Sequence, residues 1–293
     1  MKIEFNKSQN NSLGLFLGFT GYIIFVVLDS LIKKKLVDQY PIFEIMFFIC
    51  LFSFIPVTLT LTFLHSWKTL LNTKIHFQLL RGMLGFISGA LLVNSFKFHS
   101  FSEIYPILFS TPLILTIFSY YFLKEKIGYH RLSAVLFGFV GVLIVSRPGT
   151  IHFTWPLFGL FIASFILAIN VIIIRKLASS QSSIAFAFYA SLSGLILSAI
   201  FASQNFIPLL KEDFFIMFLC GIINGTAILC ISGASKLLQS SIFAPIQYVQ
   251  LVTGFIFGYF FFNDLPDTFE TLGSLIIVFS GLYIIFRERN KIS

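Results

Sequence analysis

Residues 97–106, Lys-Phe-His-Ser-Phe-Ser-Glu-Ile-Tyr-Pro, and residues 236–245, Lys-Leu-Leu-Gln-Ser-Ser-Ile-Phe-Ala-Pro, are two versions of one stretch, 139 positions apart. Each connects the end of one long apolar run to the start of the next. The identical pairs are Lys97 with Lys236, Ser102 with Ser241 and Pro106 with Pro245. This repeated junction predicts a chain built twice from one structural unit.

The match extends on both sides with almost no gaps. Further pairs at offsets of 139 to 141 are Gly82 with Gly221, Tyr120 with Tyr259, Gly141 with Gly281, Arg147 with Arg287, and Asp29 with Asn170. Apolar composition alone would not keep these glycines and polar residues in register. We therefore predict two repeats, 13–147 and 155–287.

The composition is that of a membrane protein. Of the 293 residues, 57% are hydrophobic and 11% are charged, whereas a soluble domain carries about 25% charged residues. The net charge of +8 would suggest nucleic-acid binding in a soluble chain. Here most basic residues lie in short breaks between apolar runs, so lipid, and not nucleic acid, is the expected surroundings. The three cysteines show no metal-binding or disulfide spacing.

The apolar runs predict an all-α polytopic membrane protein with ten transmembrane helices. A crossing helix needs about 20 apolar residues, and ten stretches satisfy this. They are 13–32, 43–64, 77–97, 103–123, 130–147, 155–175, 184–203, 214–235, 242–262 and 271–286. The first is too long for the apolar core of a signal peptide and has no cleavage site after it, so we expect it to remain as a helix.

Basic residues predict the orientation of these spans. The side holding both termini and the loops after spans 2, 4, 6 and 8 carries about twice as many Lys and Arg residues as the other side. Both termini are therefore expected in the cytoplasm, with the protein in the bacterial inner membrane. The run Lys33–Lys35 is the exception, because it falls on the outer side.

Five helices per repeat is an odd number, so the two copies must cross the membrane in opposite orientations. Inverted repeats are typical of secondary transporters, in which two similar halves move about a site at their interface. We expect the halves to be related by a pseudo-two-fold axis in the membrane plane.

The ends of the repeats resemble a known family. Residues 122–125, Phe-Leu-Lys-Glu, with Gly138–Val142, are similar to the EamA-type domain of the drug/metabolite transporter superfamily, and Phe262–Asp264 with Gly281-Leu282 is a looser copy. The resemblance covers essentially the whole chain. It implies that spans 5 and 10 lie at the periphery, and we expect a central cavity lined by spans 1, 3, 4, 6, 8 and 9.

A narrower resemblance is to the S-adenosylmethionine uptake transporters of obligate intracellular bacteria. It rests on Leu80-Arg81-Gly82, residues 110–113, Ala244-Pro245, residues 262–267, and Glu44 before Phe47-Phe48. Three positions depart from that group. Ile49 replaces an arginine of span 2, and the amides Gln247 and Gln250 lie in a span 9 motif that carries charges there. If those charges hold the ligand, the ligand here differs.

Ionisable residues inside a membrane are costly and are functional candidates by default. Asp29 lies near the outer end of span 1, Glu44 opens span 2 and Arg81 opens span 3. Each could instead be interfacial and hydrated, with a long side chain reaching the headgroups. Asp29 is also the candidate for a carboxylate that couples transport to protons.

Polar uncharged residues complete the predicted lining of the cavity. Gln247 and Gln250 share one face of span 9, which Gly254 and Gly258 continue, and Tyr248 beside them could stack on a purine. In span 4, Thr111 precedes Pro112, which interrupts the helix and frees a carbonyl. The other candidates are Tyr22, Asn94, Asn170 and Asn224. The amides could equally bind neighbouring helices.

These features favour a uniporter or exchanger of a small polar metabolite, and the narrower resemblance implies exchange of S-adenosylmethionine against S-adenosylhomocysteine. The alternative is a proton-coupled exporter of amino acids or drugs. The chain lacks a P-loop and an HExxH motif, which argues against ATP hydrolysis and makes an intramembrane enzyme a remote alternative. No cofactor, metal or catalytic residue is expected. The GxxxG pairs indicate tight packing in a monomer or, more weakly, a homodimer.

Overall fold

The computed structural model describes residues 7–71, 74–124, 128–147, 154–177, 181–238, 243 and 246–289. Within these ranges the regular structure is entirely helical. The first half contains α1 (Lys7–Leu31), α2 (Ile42–Phe63), α3 (Lys68–Leu71), α4 (Ile75–Phe96), α5 (Phe101–Leu108), α6 (Ser110–Leu123) and α7 (Tyr129–Ser146). The second half contains α8 (Trp155–Leu177), α9 (Ser183–Ala202), α10 (Lys211–Leu237), α11 (Val249–Phe262) and α12 (Thr268–Arg289).

Within the described residues, each predicted span overlaps a helix, and span 4 overlaps two. In order, spans 1–10 are α1, α2, α4, α5 with α6, α7, α8, α9, α10, α11 and α12. Seven of them, counting α5 and α6 as one, are long and apolar enough to cross a membrane. The apolar parts of α7, α11 and α12 are shorter, at Leu132–Ser146, Val249–Phe262 and Thr268–Tyr283. The protein is therefore a membrane protein whose described part is all-helical.

The helix bounds differ from the predicted ones most clearly in spans 1 and 4, and α1 begins at Lys7 instead of residue 13. Span 1 was expected to end at residue 32, but a π-helical turn, Ile32–Leu36, continues it through the three lysines. In span 4 the break falls at Phe109, ahead of Pro112. Because Pro112 has no N–H, it leaves the carbonyl four residues earlier, at Leu108, without its helical donor. The predicted start of span 9, with Pro245, lies outside the described residues.

The broken helix α5–α6 is the centre of the bundle. In its most apolar window 83% of the residues are buried, against 28–44% in the other six long spans. Its start is fixed by a capping box, in which Ser100 and Glu103 each bind the backbone amide of the other. The outward-facing positions of the surrounding helices carry large apolar side chains such as Phe16, Phe63 and Trp155, as expected of a surface in contact with lipid.

Helix packing follows a regular pattern. α1 packs on α10 and α11, while α8 packs on α4 and α6. α2 packs on α10, α9 packs on α4, and α2 contacts α9. α7 pairs with α12, and α5 contacts α11. The glycines of α10 allow its close approach to α2, because a Cβ at Gly225 would lie 2.5 Å from the backbone oxygen of Ser53. This places the predicted GxxxG pair Gly221/Gly225 inside the molecule.

Candidate functional site

Asp29 lies at the junction of α1, α5 and α11. Its carboxylate accepts a hydrogen bond of 2.9 Å from the hydroxyl of Tyr105, and both residues are buried. The Tyr105 ring packs on Gly254 of α11, where a Cβ would overlap it. Within the described residues, no basic side chain lies within 4 Å of the carboxylate. Asp29 is therefore a buried acid held by a phenol rather than by a cation.

Asn170 takes the matching place in the second half, but it makes a different contact. Its Nδ2 donates to the backbone oxygen of Arg81 over 3.0 Å, and it lies beside Gly85 of α4. The side chain of Arg81 is buried rather than reaching the headgroups. Its Nη2 donates to the backbone oxygen of Phe186 in α9, and the guanidinium lies 5.2 Å from the centre of the Phe186 ring.

The break in span 4 exposes polar groups inside the protein. Ser110 and Thr111 follow it, and their buried hydroxyls have no hydrogen-bond partner among the described residues. Buried hydroxyls are nearly always paired. Together with the Leu108 carbonyl, they place three polar groups at the break. Thr111, predicted from the sequence, is therefore the best-placed candidate on span 4.

The candidates of α11 divide into two groups. Gln247 and Gln250 are half-buried, in a turn at the start of the helix. Tyr248 is buried, with its ring 5.4 Å from the ring of Phe109 and packed on Gly281 of α12, where a Cβ would overlap it. The face of Tyr248 that was expected to stack on a ligand is thus covered by protein in this conformation.

The remaining candidates lie apart from this centre. Glu44 is buried at the start of α2, where it accepts the backbone N–H of Ile207 over 3.0 Å and so holds the connection between α9 and α10. Asn224 donates to the hydroxyl of Ser53 over 2.9 Å. Tyr22 packs 6.0 Å from Phe243, and Asn94 is half-buried near the end of α4. The structure does not bring all the predicted residues into one cluster.

A polar pocket of about 370 Å³ opens at one end of the bundle. It is lined by Lys33, Lys97, Phe98, His99, Ser100, Phe262, Asn263 and Asp264. The Nζ of Lys33 donates to the backbone oxygens of Phe96, over 3.0 Å, and of His99. It also lies about equally far from the rings of Phe101 and Phe262, at 5.6 and 5.5 Å. Lys33 therefore joins the end of span 1 to the loop between spans 3 and 4.

An ion pair flanks the same end of the molecule. Arg147 pairs with Asp267, between α11 and α12. Burial raises the pKa of the Asp267 carboxyl, but hydrogen bonds from Arg147 and from the amide of Glu270 outweigh it and leave the pKa below its usual range. The pair is therefore ionised at neutral pH. Among the described residues no group of three His, Cys, Asp or Glu side chains could hold a metal ion.

Two stretches of the chain, 12–147 and 154–287, each match the sequence profile of the EamA-like transporter family. The chain belongs to the EamA-like transporter family. The two matches are separate copies of one domain, so the repeat read from the sequence is confirmed as a family feature.

Named relatives match this EamA-like transporter over nearly its whole length. It is 26% identical to the S-adenosylmethionine uptake transporter of Rickettsia felis, over 97% of this chain and 98% of that one. For the protein of the same name in Rickettsia prowazekii the identity is 25% over the same shares. It is 26% identical to human Solute carrier family 35 member G1, over 96% of this chain and 81% of that one. A solved crystal structure superimposes with a TM-score of 0.71 at 13% identity, covering 98% of this chain and 100% of that one. This similarity shows that the two proteins share a fold.

Sequence reasoning missed two residues of this EamA-like transporter. His99 was not among the predicted site residues, but it is buried and bonds Glu103 over 3.1 Å and Thr154 over 2.5 Å. Tyr105 was not singled out, because a tyrosine in an apolar helix is usually part of the core. The spacing of His99 and Glu103, four apart at a helix start, was the one available signal.

Proposed function

We propose that this transporter exchanges S-adenosylmethionine for its demethylated product, S-adenosylhomocysteine, across the inner membrane of a bacterium. The observation that carries the proposal is the similarity, at 25–26% identity over 90–97% of the chain, to four S-adenosylmethionine uptake transporters of Rickettsia. Membership of a transporter family and the missing P-loop support a secondary transporter.

The mechanism we propose is alternating access by two inverted five-helix repeats, 13–147 and 155–287. Helix packing supports this arrangement. If each helix of one half is exchanged for its partner in the other, the contact of α1 with α10 becomes that of α8 with α4, and α2 with α10 becomes α9 with α4. The contacts of α2 with α9 and of α7 with α12 are unchanged by the exchange. A pseudo-two-fold axis between the halves would leave the set of helix contacts unchanged in this way.

Matching residues in the two halves also make matching contacts. A Cβ at Gly82 would overlap Ser193 and lie 3.0 Å from the backbone oxygen of Tyr189. A Cβ at Gly221, the partner of Gly82, would overlap Phe52 and lie 3.0 Å from the backbone oxygen of Ile49. The C-caps of α6 and α11, Lys124 and Asn263, are 139 positions apart, and both have left-handed backbone conformations, with φ of 56° and 51°.

Contacts between loops support ten crossings. One end of the bundle joins the connections that follow odd-numbered spans, through Lys33 with Phe96 and His99, His99 with Thr154, Arg147 with Asp267, Tyr40 with Asp213, and Glu44 with Ile207. The other end joins those that follow even-numbered spans, through Gln78 with Gln181, Lys236 with Gln181, Tyr189 with Leu70, and Arg175 with Ser119. The basic residues favour a cytoplasmic position for this second end and for both termini.

The proposed lining suits a ligand with several polar groups. S-adenosylmethionine carries an adenine, a sulfonium, an ammonium and a carboxylate. We assign Asp29 to one hydrogen bond with the ligand, and Thr111, Gln247 and Gln250 to hydrogen bonds with the purine. Tyr22, Asn94, Asn170 and Asn224 would join the proposed lining only after the helices rearrange, because in this conformation they make other contacts or lie apart from this centre. Tyr248 would contribute only after its ring leaves Phe109.

A second candidate function is the proton-coupled export of amino acids or drugs. The buried Asp29–Tyr105 hydrogen bond favours it, because a carboxyl enclosed by protein in one state and hydrated in another can bind and release a proton as the transporter turns over.

Counterflow into proteoliposomes tests the proposed substrate. Vesicles that contain the purified protein are loaded with one unlabelled compound and diluted into its labelled form. Nucleosides, amino acids, S-adenosylmethionine and S-adenosylhomocysteine are compared. We expect transient accumulation with the last two. Counterflow of amino acids alone would favour the exporter.

A further inference from the structure

Three buried polar side chains at the cytoplasmic end have unused hydrogen-bonding groups. Gln78 and Arg81 of α4 and Gln181, just before α9, are 0%, 5% and 6% exposed. Gln78 Nε2 donates to Gln181 Oε1, and Arg81 Nη2 donates to Phe186. Within the described part of the chain, Arg81 Nε, Gln181 Nε2 and Gln78 Oε1 have no hydrogen-bond partner.

The charge of this cluster is uncompensated among the described residues. No acidic side chain there lies within 4 Å of the Arg81 guanidinium, and Lys236 adds a second cation, because its Nζ donates to the backbone oxygen of Gln181 over 3.2 Å. Arg81 lies six residues into α4, about 9 Å along the helix axis. A buried cation without an acid is costly at this depth.

Packing of the repeat does not require this arginine. In the second half, Gly221 makes the same close contact as Gly82, yet the positions matching Gln78 and Arg81 are Met217 and Cys220. The polar cluster therefore belongs to the cytoplasmic end alone, and its cost points to a role in binding.

We propose that Arg81, Gln181 and Gln78 form a subsite for the α-amino-acid head group of the transported metabolite. The carboxylate binds Arg81 Nε and Gln181 Nε2, which are donors, and the planar guanidinium suits carboxylate geometry. The ammonium donates to Gln78 Oε1. Gln181 joins α4 to the end of α10, through Gln78 and Lys236, so its movement away from Gln78 would open the subsite to the cytoplasm. This inference rests on the proposed function, because both exchanged compounds carry that head group.

The test compares inhibition of exchange by S-adenosylmethionine with inhibition by its decarboxylated analogue, which lacks only the carboxylate. In the unmodified protein the analogue should bind roughly 10- to 100-fold more weakly, the loss that accompanies a missing charged hydrogen bond. In Arg81→Gln the two inhibition constants should become nearly equal, because only the intact ligand loses affinity. Arg81→Lys, which keeps the charge, should give an intermediate ratio and serves if Arg81→Gln does not fold.

Arg175→Gln is the matched control. It removes a cationic guanidinium from the same end, where Arg175 donates to Ser119 over 2.9 Å, and it should leave the ratio unchanged. Equal weakening of both ligands by Arg81→Gln, or an unmodified protein that does not discriminate, would overturn the subsite alone. If S-adenosylmethionine gives no counterflow, the proposed function fails. The ratio of inhibition constants is then measured with an α-amino acid that gives counterflow and with the amine formed by its decarboxylation. Absence of counterflow with every α-amino acid would overturn both proposals.

Discussion

At the scale of single residues, Asp29 and Asn170 show how one position of a repeat can acquire two roles. Both lie on the first helix of their half, and both are buried. Asn170 binds a backbone oxygen of α4, whereas Asp29 binds the hydroxyl of Tyr105. Only the aspartate can ionise. The sequence identified both positions from their polarity inside apolar runs, but the partner of Asp29 could not be predicted, because it depends on how α5 packs on α1.

Replacement of Asp29 by asparagine tests whether its ionisation is needed. Exchange needs no proton-binding group, because the returning product resets the carrier. The amide oxygen of Asp29→Asn can still accept the Tyr105 hydroxyl. We therefore expect exchange, with substrate on both sides, to remain within about tenfold of the unmodified rate, the size of one neutral hydrogen bond. Complete loss of exchange in a folded Asp29→Asn protein would contradict this.

At the scale of helices, apolar length predicted most elements well. The described ends of α2, α4, α8 and α9 lie close to those expected, because a run of about 20 apolar residues has few alternatives to a crossing helix. Span 1 continues past residue 32, although the charge of Lys33 was expected to mark the end of the helix. Backbone carbonyls and aromatic rings around Lys33 accommodate that charge. The ring of Tyr248 packs against Phe109 and Gly281. Its position could not be predicted, because these contacts join distant parts of the chain.

Glycine substitutions test the matched contacts of the two halves. Gly82→Ala and Gly221→Ala each force a methyl group into a neighbouring helix, so each should destabilise the protein by about 1–3 kcal/mol, the usual cost of overpacking. Gly85→Ala is the control, because its Cβ would lie 3.6 Å from the nearest atom, Asn170 Nδ2. Thermal unfolding in detergent measures all three. A Gly82→Ala protein as stable as Gly85→Ala would show that the close contact of α4 with α9 is misplaced.

At the scale of the whole molecule, the internal repeat predicted the architecture more firmly than any single motif. Two family matches confirm that one domain is present twice, and seven described helices are long and apolar enough to cross a membrane. The position of the candidate site was less predictable. Asp29 and Thr111 lie near the central helix, but Glu44 and Asn224 serve contacts between helices and loops. A sequence marks which polar groups are buried, but it does not show which of them face the same space.

Labelling of matched positions tests the inverted orientation of the halves. Lys124 and Asn263 are equivalent C-caps, and both are exposed. In a background without Cys50, Cys220 and Cys230, Asn263→Cys should react with a membrane-impermeant maleimide in intact cells. Lys124→Cys should react only after the cells are opened. Parallel halves would give the same labelling at both positions.

The rate of labelled S-adenosylmethionine uptake into proteoliposomes, with and without S-adenosylhomocysteine inside, tests the central claim of exchange. Vesicles loaded with S-adenosylhomocysteine should take up the label much faster than empty vesicles, and an acidic outer buffer should give empty vesicles little net accumulation. Accumulation in empty vesicles driven by the pH gradient alone, with no stimulation by internal S-adenosylhomocysteine, would contradict exchange.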